Sequence, residues 1–331
     1  MPFHFRFGED DFLRCRFALS PLWETHQAVR TLNRPDRHGY HPRWLRRTRA
    51  AADGLDLAPL WLLMPRRGYS PDWLAPPPIG PAATFEEEIA VVRGTDPVRA
   101  RADTARALAD TPGAAESPLA RDLLAGTERG VLLLADLLEA AWHALVEPYW
   151  PRLRTLLEAD IAYHSRRLAE VGLGGLLPEI DRRFAWSAGT LTVTGRHEEE
   201  VQDLDGQGLV LMPSAFSWPD VVTGFEPPWQ PTLVYPVRGI GGLWAEPAGR
   251  APDALARLLG RGRAAVLAAL DEPAGTTVLA HRLGLAASSV SAHLSVLRDA
   301  GLLTARRYGH QVLYERTPLG TALAAGEEAG C

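Results

Sequence analysis

The sequence predicts an α+β fold, with a mainly helical N-terminal part, a small β segment and a compact C-terminal unit. Residues 41–172 are rich in Ala, Leu and Arg at helical spacing. Residues 183–245 are rich in Val, Thr and aromatic residues, and Gly and Pro separate their apolar runs. Residues 254–318 contain three short helical patterns followed by two strand patterns. These composition changes predict more than one domain.

Length and composition indicate an ordinary soluble globular protein. The chain has 331 residues, of which 46% are hydrophobic and 23% are charged. No apolar run is long enough to span a membrane, and the first residues, MPFHFRFGEDD, place acids where a signal peptide would be apolar. We therefore expect a cytoplasmic protein without a membrane partner. Cys15 and Cys331 are far apart in sequence, which argues against a disulfide framework or a cysteine metal cluster.

Charge is distributed unevenly along the chain. Residues 250–316 contain nine arginines and five acids, a net charge of +4, whereas the whole chain carries −5. The remaining residues therefore sum to −9. A basic C-terminal unit on an acidic body favours a polyanionic partner at that end of the chain.

Two N-terminal segments carry clear local signals. Phe3, Phe5 and Phe7 alternate with polar residues and predict a short strand, followed by a helix opening at residues 9–11. The stretch SPLWE then predicts a helix start, with Ser20 as N-cap and Pro21 at the first helical position. Further along, Gly172 is expected to end a long helix.

The β segment is expected to form about three strands, at 183–195, 208–216 and 231–237. We interpret the acidic stretch at 197–208 as a solvated turn between them. The expected domains are residues 1–249, with the β segment at about 183–245, then residues 250–320, and a flexible tail at 321–331.

The C-terminal unit is predicted to contain three helices, at 254–273, 276–285 and 286–301. Gly284 and Gly301 are expected to end the second and third helices, and a Thr is expected to cap the second. The apolar positions predicted to be buried in the first helix are Leu255, Leu258, Leu259, Val266, Leu267 and Leu270. Two strands follow, at 303–307 and 311–316. Together these elements predict a winged helix-turn-helix.

The third helix begins with small hydroxyl residues, which suits insertion into the major groove of DNA. A recognition helix approaches the bases with its N-terminal end, where bulky side chains would hold it away. Ser hydroxyls and helix N-terminal amides can bind base edges or phosphates. A helix N-cap is the alternative reading of Ser288, and packing against the wing is the alternative for His293. The predicted DNA-binding residues are Thr277, Arg282, Ser288, Ser289, Ser291, His293, Arg298, Arg306, Arg307 and His310.

The pattern S-x-S-x-H-L-x-x-L-x-x-A-G-L from Ser289 to Leu302, with Y-x-R at the end of the wing, resembles ArsR-type bacterial transcription regulators. The resemblance covers about residues 255–318. It implies a homodimeric repressor or activator that binds an inverted repeat in double-stranded DNA. Metal-sensing members carry a Cys pair before the recognition helix, where this chain has Ala280 and His281. Metal sensing through that site is therefore not expected.

The N-terminal part, with SPLWE near residue 20, resembles a group of actinobacterial regulators whose large N-terminal domain has no assigned function. A regulator responds to a signal, so we expect an unidentified small-molecule or protein effector on this domain. Aromatic side chains are candidates for an apolar effector pocket, although they also fit an ordinary sheet core. The candidates are Trp186, Phe216, Trp218, Trp229 and Tyr235.

Two other classes of function, an enzyme and a protein-interaction module, have less support in the sequence. Asp36 and the stretch HGYH at 38–41 offer metal-ligand types without an evident third ligand, and GLGG at 172–175 follows a helix and lacks dinucleotide-binding spacing. No nucleophile-elbow, P-loop or zinc-protease motif is present. We therefore expect no catalytic residues, no metal and no cofactor. An enzyme or protein-interaction module in the N-terminal domain remains the alternative, with the winged helix as an accessory part.

Overall fold

The protein is described here by a computed structural model. It describes residues 2–37, 39–65, 68–109, 113–195, 199–244, 253–308 and 311–325. The chain divides into two compact units, the first formed by residues 1–34 and 48–238, the second by 35–47 and 239–331. This division differs from the expected boundary after residue 249, because 35–47 and 239–244 pack within the second unit. The α+β fold class is confirmed.

The first unit contains most of the helices. They are α1 (Pro21–Asn33), α2 (Pro42–Asp53), α3 (Ala58–Leu63), α4 (Phe85–Arg93), α5 (Pro97–Ala109), α6 (Pro118–Leu124), α7 (Glu128–Ala141) and α8 (Trp150–Ile180). Helix α2 begins in the second unit and continues into the first after Arg47. Gly172 interrupts α8 with φ 68° and ψ 174°, so the predicted helix stop is confirmed. No helix of the described residues is long and apolar enough to span a membrane.

The strands of the first unit form two four-stranded sheets. They are β1 (Phe3–Arg6), β2 (Arg16–Phe17), β3 (Phe184–Ser187), β4 (Thr190–Val193), β5 (Glu200–Asp203), β6 (Val210–Ser214), β7 (Val222–Gly224) and β8 (Thr232–Pro236). One sheet has the order β3-β4-β1-β5 and the other β2-β6-β8-β7. The predicted N-terminal strand is confirmed as β1, whereas the predicted helix at 9–11 is a 3-10 helix, Glu9–Leu13.

The interpretation of the acidic stretch 197–208 as a solvated turn was wrong. Its residues 200–203 form β5, which pairs in parallel with β1 in the register Phe3↔Glu200 and Arg6↔Asp203. An edge strand keeps one row of side chains in solvent, so acidic composition does not exclude it. The β segment contains six strands where about three were expected. Residues 183–195 form the hairpin β3–β4, and the short strands β5 and β7 each lie at the edge of one sheet.

The sheets enclose an apolar core. Phe3 and Phe5 of β1 are buried while His4 and Arg6 face outward, as the alternation predicts. The other buried members are Leu177, Phe184, Leu191, Val193, Leu204, Leu209, Leu211, Leu233 and Tyr235. Strand β6 is buried along its whole length, as expected for an interior strand covered on both faces.

Helix α1 begins with a buried network of polar groups. The Ser20 hydroxyl accepts a hydrogen bond from the Trp23 amide at 2.8 Å, which confirms Ser20 as N-cap. The Glu88 carboxylate of α4 accepts the Leu22 amide at 2.8 Å. Pro21 has no amide hydrogen, so the first-turn donors of the helix are all used. The SPLWE motif therefore fixes the start of α1 against α4.

The same helix is also joined to the loop after β6. The Glu24 carboxylate accepts hydrogen bonds from the amides of Ala215, at 3.1 Å, and Phe216, at 3.2 Å. The Trp23 indole donates to the Ser217 hydroxyl at 3.1 Å. Burial raises the pKa of Glu24 to about 7 and that of Glu88 to about 8.

The second unit contains three helices and a β-hairpin, with additions at each end. Its elements are α9 (Asp253–Leu259), α10 (Arg261–Ala269), α11 (Thr276–Leu283), α12 (Ala287–Asp299), β9 (Leu303–Tyr308), β10 (Gln311–Arg316) and α13 (Pro318–Ala325). The predicted single helix at 254–273 is two, because Gly260 has φ 83°. Leu258, predicted to be buried, lies at the end of α9 and is 69% exposed.

The tail predicted at 321–331 is also corrected. Residues 318–325 form α13, and Leu323 and Ala324 pack against the core of the unit. Residues 326–331 lie outside the described residues. The core itself contains Leu255, Val266, Leu267, Leu270, Leu279, Val290, Leu294, Leu297, Leu302 and Leu303, together with buried alanines.

Candidate nucleic-acid interface

Helices α11 and α12 form the predicted helix-turn-helix. Gly284 ends α11 in the left-handed conformation with φ 64°, as predicted. The Leu285 amide donates to the Ala280 carbonyl at 3.0 Å, which closes the turn. The predicted Thr cap is wrong: Gly275 is the N-cap residue of α11 and makes no side-chain capping bond. Backbone geometry thus sets this turn, with little help from side chains.

Helix α12 has one buried face and one exposed face. Val290, Leu294 and Leu297 are buried, as the i, i+4, i+7 spacing predicts. The serines at its start, Ser288, Ser289 and Ser291, are all exposed. Beside them lie the exposed small residues Ala287 and Ala292. The leading end of α12 therefore presents a surface of short side chains that project little from the helix.

The serines do not cap this helix. The N-cap residue is Ala286, which has no side-chain oxygen. Among the described residues, no hydrogen bond involves the hydroxyl of Ser288, Ser289 or Ser291. The first-turn amides consequently lack a side-chain acceptor. Open amides and exposed hydroxyls at one helix end form a surface suited to phosphate and base edges.

His293 lies one turn further along and is half-buried. It packs against α10, where a Cβ added at Gly262 would lie 2.6 Å from the His293 Nε2 atom. Gly262 therefore allows the imidazole to approach the α10 backbone. The contact is therefore with α10 and not with the wing, which was the predicted packing alternative.

The wing is an antiparallel hairpin in which Arg307 pairs with Val312 and Arg306 with Leu313. Consecutive strand residues point to opposite faces, so the two arginines do not share a face. Arg306 forms an ion pair with Glu315 at 2.9 Å. Arg307 is exposed. The two side chains, which the sequence groups together, therefore lie on opposite faces of the hairpin.

The other predicted contacts are spread around the unit. Thr277 and Arg298 are exposed, and Arg298 pairs with Asp299 at 3.2 Å at the far end of α12. Arg282 is half-buried and donates to the carbonyl oxygens of Ala269, at 2.6 Å, and Gly241, at 3.3 Å. It is therefore occupied within the unit. His310 lies outside the described residues.

A network of ion pairs and hydrogen bonds that joins residues 40–43 to the helix-turn-helix unit was not predicted. Arg43 forms ion pairs with Asp271, at 2.5 Å, and Glu272, at 2.9 Å, and donates to the Trp244 carbonyl at 2.9 Å. Burial raises the pKa of Glu272 to about 7, which the Arg43 charge opposes. Tyr40 donates to the Gln311 side chain of the wing. No local sequence pattern links residues 40–43 to positions more than 200 residues later.

The candidate metal ligands around 38–41 are not arranged as a metal site in the described residues. The His41 Nδ1 atom accepts a hydrogen bond from the Trp244 indole at 2.9 Å, so it has a structural partner. His38 lies outside the described residues. In the part of the chain that the structure describes, no three His, Cys, Asp or Glu side chains are grouped to hold a metal.

The aromatic residues considered for an effector pocket mostly belong to the interior. Phe216, Trp218 and Tyr235 are buried, and Tyr235 donates to Asp160 at 3.0 Å. Trp186 is half-buried and packs edge-on against Phe7. Trp229 is half-buried with the Arg99 guanidinium 5.1 Å from its ring centre. These contacts favour the alternative of a packed core over an open apolar pocket.

Comparison with known families gives two matches. Residues 81–241 match a family described as a family of unknown function (DUF5937). Residues 261–306 match the helix-turn-helix domain model. No curated protein and no solved structure matches the chain significantly. The second match spans α10, α11, α12 and the start of β9, so the chain carries a helix-turn-helix domain, a domain type of DNA-binding transcription regulators.

Proposed function

We propose that this protein is a DNA-binding regulator of transcription whose α12 enters the major groove by its N-terminal end. The exposed leading end of α12, within a matched helix-turn-helix domain, carries the proposal. Ser289 and Ser291 are the proposed groove contacts, and Arg307 the proposed phosphate contact. The finer assignment is an ArsR-type repressor acting as a homodimer on an inverted repeat.

The physical reason lies in the dimensions of the groove. The major groove of B-DNA is about 12 Å wide and admits a helix whose side chains do not obstruct it. Ala287, Ala292 and the serines are short enough for close approach. Exposed amides at the helix start add attraction for a phosphate. In a two-fold dimer, the two recognition helices would lie about 34 Å apart, one turn of DNA.

We propose that the first unit senses an effector and has no catalytic role. Its buried carboxylates have structural partners: Glu24 accepts two backbone amides, and Asp160 accepts the Tyr235 hydroxyl and the Arg238 amide. Asp11 likewise accepts the amides of Gly8 and Gly208. These carboxylates are therefore committed to holding loops.

Fluorescence anisotropy tests the proposal directly. The full chain is titrated against DNA from upstream of its own gene and against a scrambled duplex, at several salt concentrations. We expect tighter binding to the first duplex and an affinity that falls steeply with salt, because phosphate contacts release counterions. Equal, salt-independent or absent binding to both duplexes would contradict the proposal.

Two variants separate positioning from readout. Arg307→Ala should weaken binding to all duplexes alike and reduce the salt slope by about one. Ser291→Ala should change the preference between duplexes and leave the salt slope intact. Arg121→Ala, an exposed arginine of α6 in the first unit, is the matched control and should bind like the wild type. If neither variant differed from this control, the docking arrangement would be wrong.

A further inference from the structure

A surface cleft of about 520 Å³ lies in the first unit. Its volume is within the range of small-molecule sites, about 300–1,000 Å³. The lining comes from the segment before and within β2, the turn before β6 and the loop before β8. The lining residues are Leu13, Arg14, Cys15, Arg16, Gln207, Pro228 and Gln230. Two of these seven residues are cationic and none is acidic.

Arg16 is a half-buried cation held entirely by neutral acceptors. Its Nε and Nη2 atoms donate to the Gln230 Oε1 atom at 3.2 and 3.0 Å. Its Nη1 and Nη2 atoms donate to the carbonyls of Gly80, at 3.2 Å, and Pro78, at 2.6 Å. No described carboxylate forms an ion pair with it. Burial lowers the pKa of Arg16, with no neighbouring acid opposing the shift.

The rest of the cleft is also fixed in position. Gln230 donates to the carbonyls of Gln207, at 2.7 Å, and Arg14, at 3.4 Å. Gly208 has φ 69°, and a Cβ there would lie 2.5 Å from the Arg14 carbonyl carbon, so only glycine allows this close approach. The Arg14 side chain is exposed and has no ion-pair partner among the described residues. The backbone of the cleft is thus held in place, and it carries one half-buried and one exposed guanidinium, neither of which has a described carboxylate partner.

We propose that this cleft binds a small organic molecule through an oxyanion head group, a carboxylate or a phosphate, recognised by Arg14 and Arg16. The exposed Arg14 guanidinium can bind either head group through paired N–H donors. Arg16 already donates to Gln230, Gly80 and Pro78, so it contributes its positive charge and its remaining Nη1 N–H. Leu13, which is 86% exposed, and Pro228 offer apolar contact for the body of the ligand. The Cys15 thiol donates to the Asp11 carbonyl and has a pKa raised to about 11, so it stays uncharged at neutral pH.

The inference names a ligand class for the sensing unit, and it rests on the proposed function only in treating this ligand as an effector. Binding of the small molecule is measured on the full chain without DNA. An absence of this binding is therefore distinguishable from an absence of DNA binding. The probes are benzoate, citrate, phenyl phosphate and inorganic phosphate, at constant ionic strength. Benzamide is the uncharged counterpart of benzoate.

We expect at least one organic anion to raise the melting temperature by about 2–4 °C near saturation, while benzamide does not. A rise with benzoate or citrate alone would identify the head group of the ligand as a carboxylate. A rise with phenyl phosphate alone would identify it as a phosphate. Arg16 also donates to the carbonyls of Pro78 and Gly80, so replacing it would disturb the fold. The exposed Arg14 is therefore the position to replace, and Arg14→Gln should abolish the rise in melting temperature. Arg121→Gln, the matched control, should keep it.

Three outcomes would overturn the inference. They are no rise with any organic anion, an equal rise with benzamide, and an undiminished rise in Arg14→Gln. The first of these outcomes includes a rise with inorganic phosphate alone, which would contradict an organic ligand. Anisotropy with DNA, run separately, tests the proposed function.

Discussion

Helices α1 and α12 are both thirteen residues long and both have serine at or near their start, yet their leading ends have opposite surroundings. At α1, Ser20 is buried and bonded, and Glu24 and Glu88 bind further amides. At the start of α12, Ser288, Ser289 and Ser291 are exposed, and their hydroxyls make no hydrogen bond among the described residues. Polar residues at a helix start stabilise the fold in one case and remain available to a partner in the other.

This difference can be tested by removing the buried carboxylate of Glu24, a residue of the first turn of α1. Glu24→Ala would remove the carboxylate that accepts hydrogen bonds from the buried amides of Ala215 and Phe216, at a cost of about 1–3 kcal/mol each. We expect the free energy of unfolding, measured by urea denaturation, to fall by about 3 kcal/mol. Glu158→Ala is the control, since Glu158 forms an exposed pair with Arg154 and should cost under about 1 kcal/mol. If Glu24→Ala and Glu158→Ala lowered the free energy of unfolding equally, the buried bonds at the start of α1 would not stabilise the fold as proposed.

The buried carboxyl of Glu88 predicts a pH dependence of stability. Its pKa in the folded protein is about 8, against 4.5 for the unperturbed group, so the folded state binds the proton more tightly. This contribution is fully present below pH 4.5 and is lost as the pH rises towards 8. Each unit of pKa shift corresponds to about 1.4 kcal/mol, so the effect should be measurable.

Glu88→Gln removes this titration and keeps an acceptor for the Leu22 amide. We expect the fall in urea midpoint between pH 5 and pH 8 to be smaller than in the wild type. Glu158→Gln should show the same fall in urea midpoint as the wild type. An unchanged fall in Glu88→Gln would show that Glu88 is ionised in the folded protein across this range.

The smallest effect comes from a matched pair of serine substitutions. Ser20→Ala removes a bonded N-cap and should cost about 1 kcal/mol in urea unfolding. Ser288→Ala removes an exposed hydroxyl and should change stability by less than about 0.5 kcal/mol. A loss of stability in Ser288→Ala as large as in Ser20→Ala would mean that Ser288 supports α12, and would weaken its assignment to the DNA surface.

Local sequence signals were reliable where the backbone responds to its neighbours in sequence. The Ser20 cap, the helix stops at Gly172 and Gly284, and the buried face of α12 were all predicted. Each depends on one residue type at one backbone position or on the 3.6-residue period. The break at Gly260 was missed, because the apolar pattern continues on both sides of it.

The candidate interface was predictable in outline and less so in detail. The order of helices and strands indicated which surface would face DNA. The sequence did not show that Arg282 is bonded within the unit or that Arg306 pairs with Glu315. Free and occupied arginines look alike in a sequence, since the acceptor lies at a distant position or on the backbone.

The sequence by itself determined the α+β class, the helix-turn-helix and the small-residue end of α12, because these follow from residue type and short-range periodicity. Only the tertiary structure decided which polar groups are used inside the protein. It joined Glu24 to the 215–216 loop, Arg43 to Asp271 and Glu272, and Arg16 to Gln230. These pairs are distant in the chain, and their burial and charge compensation exist only once the chain has folded.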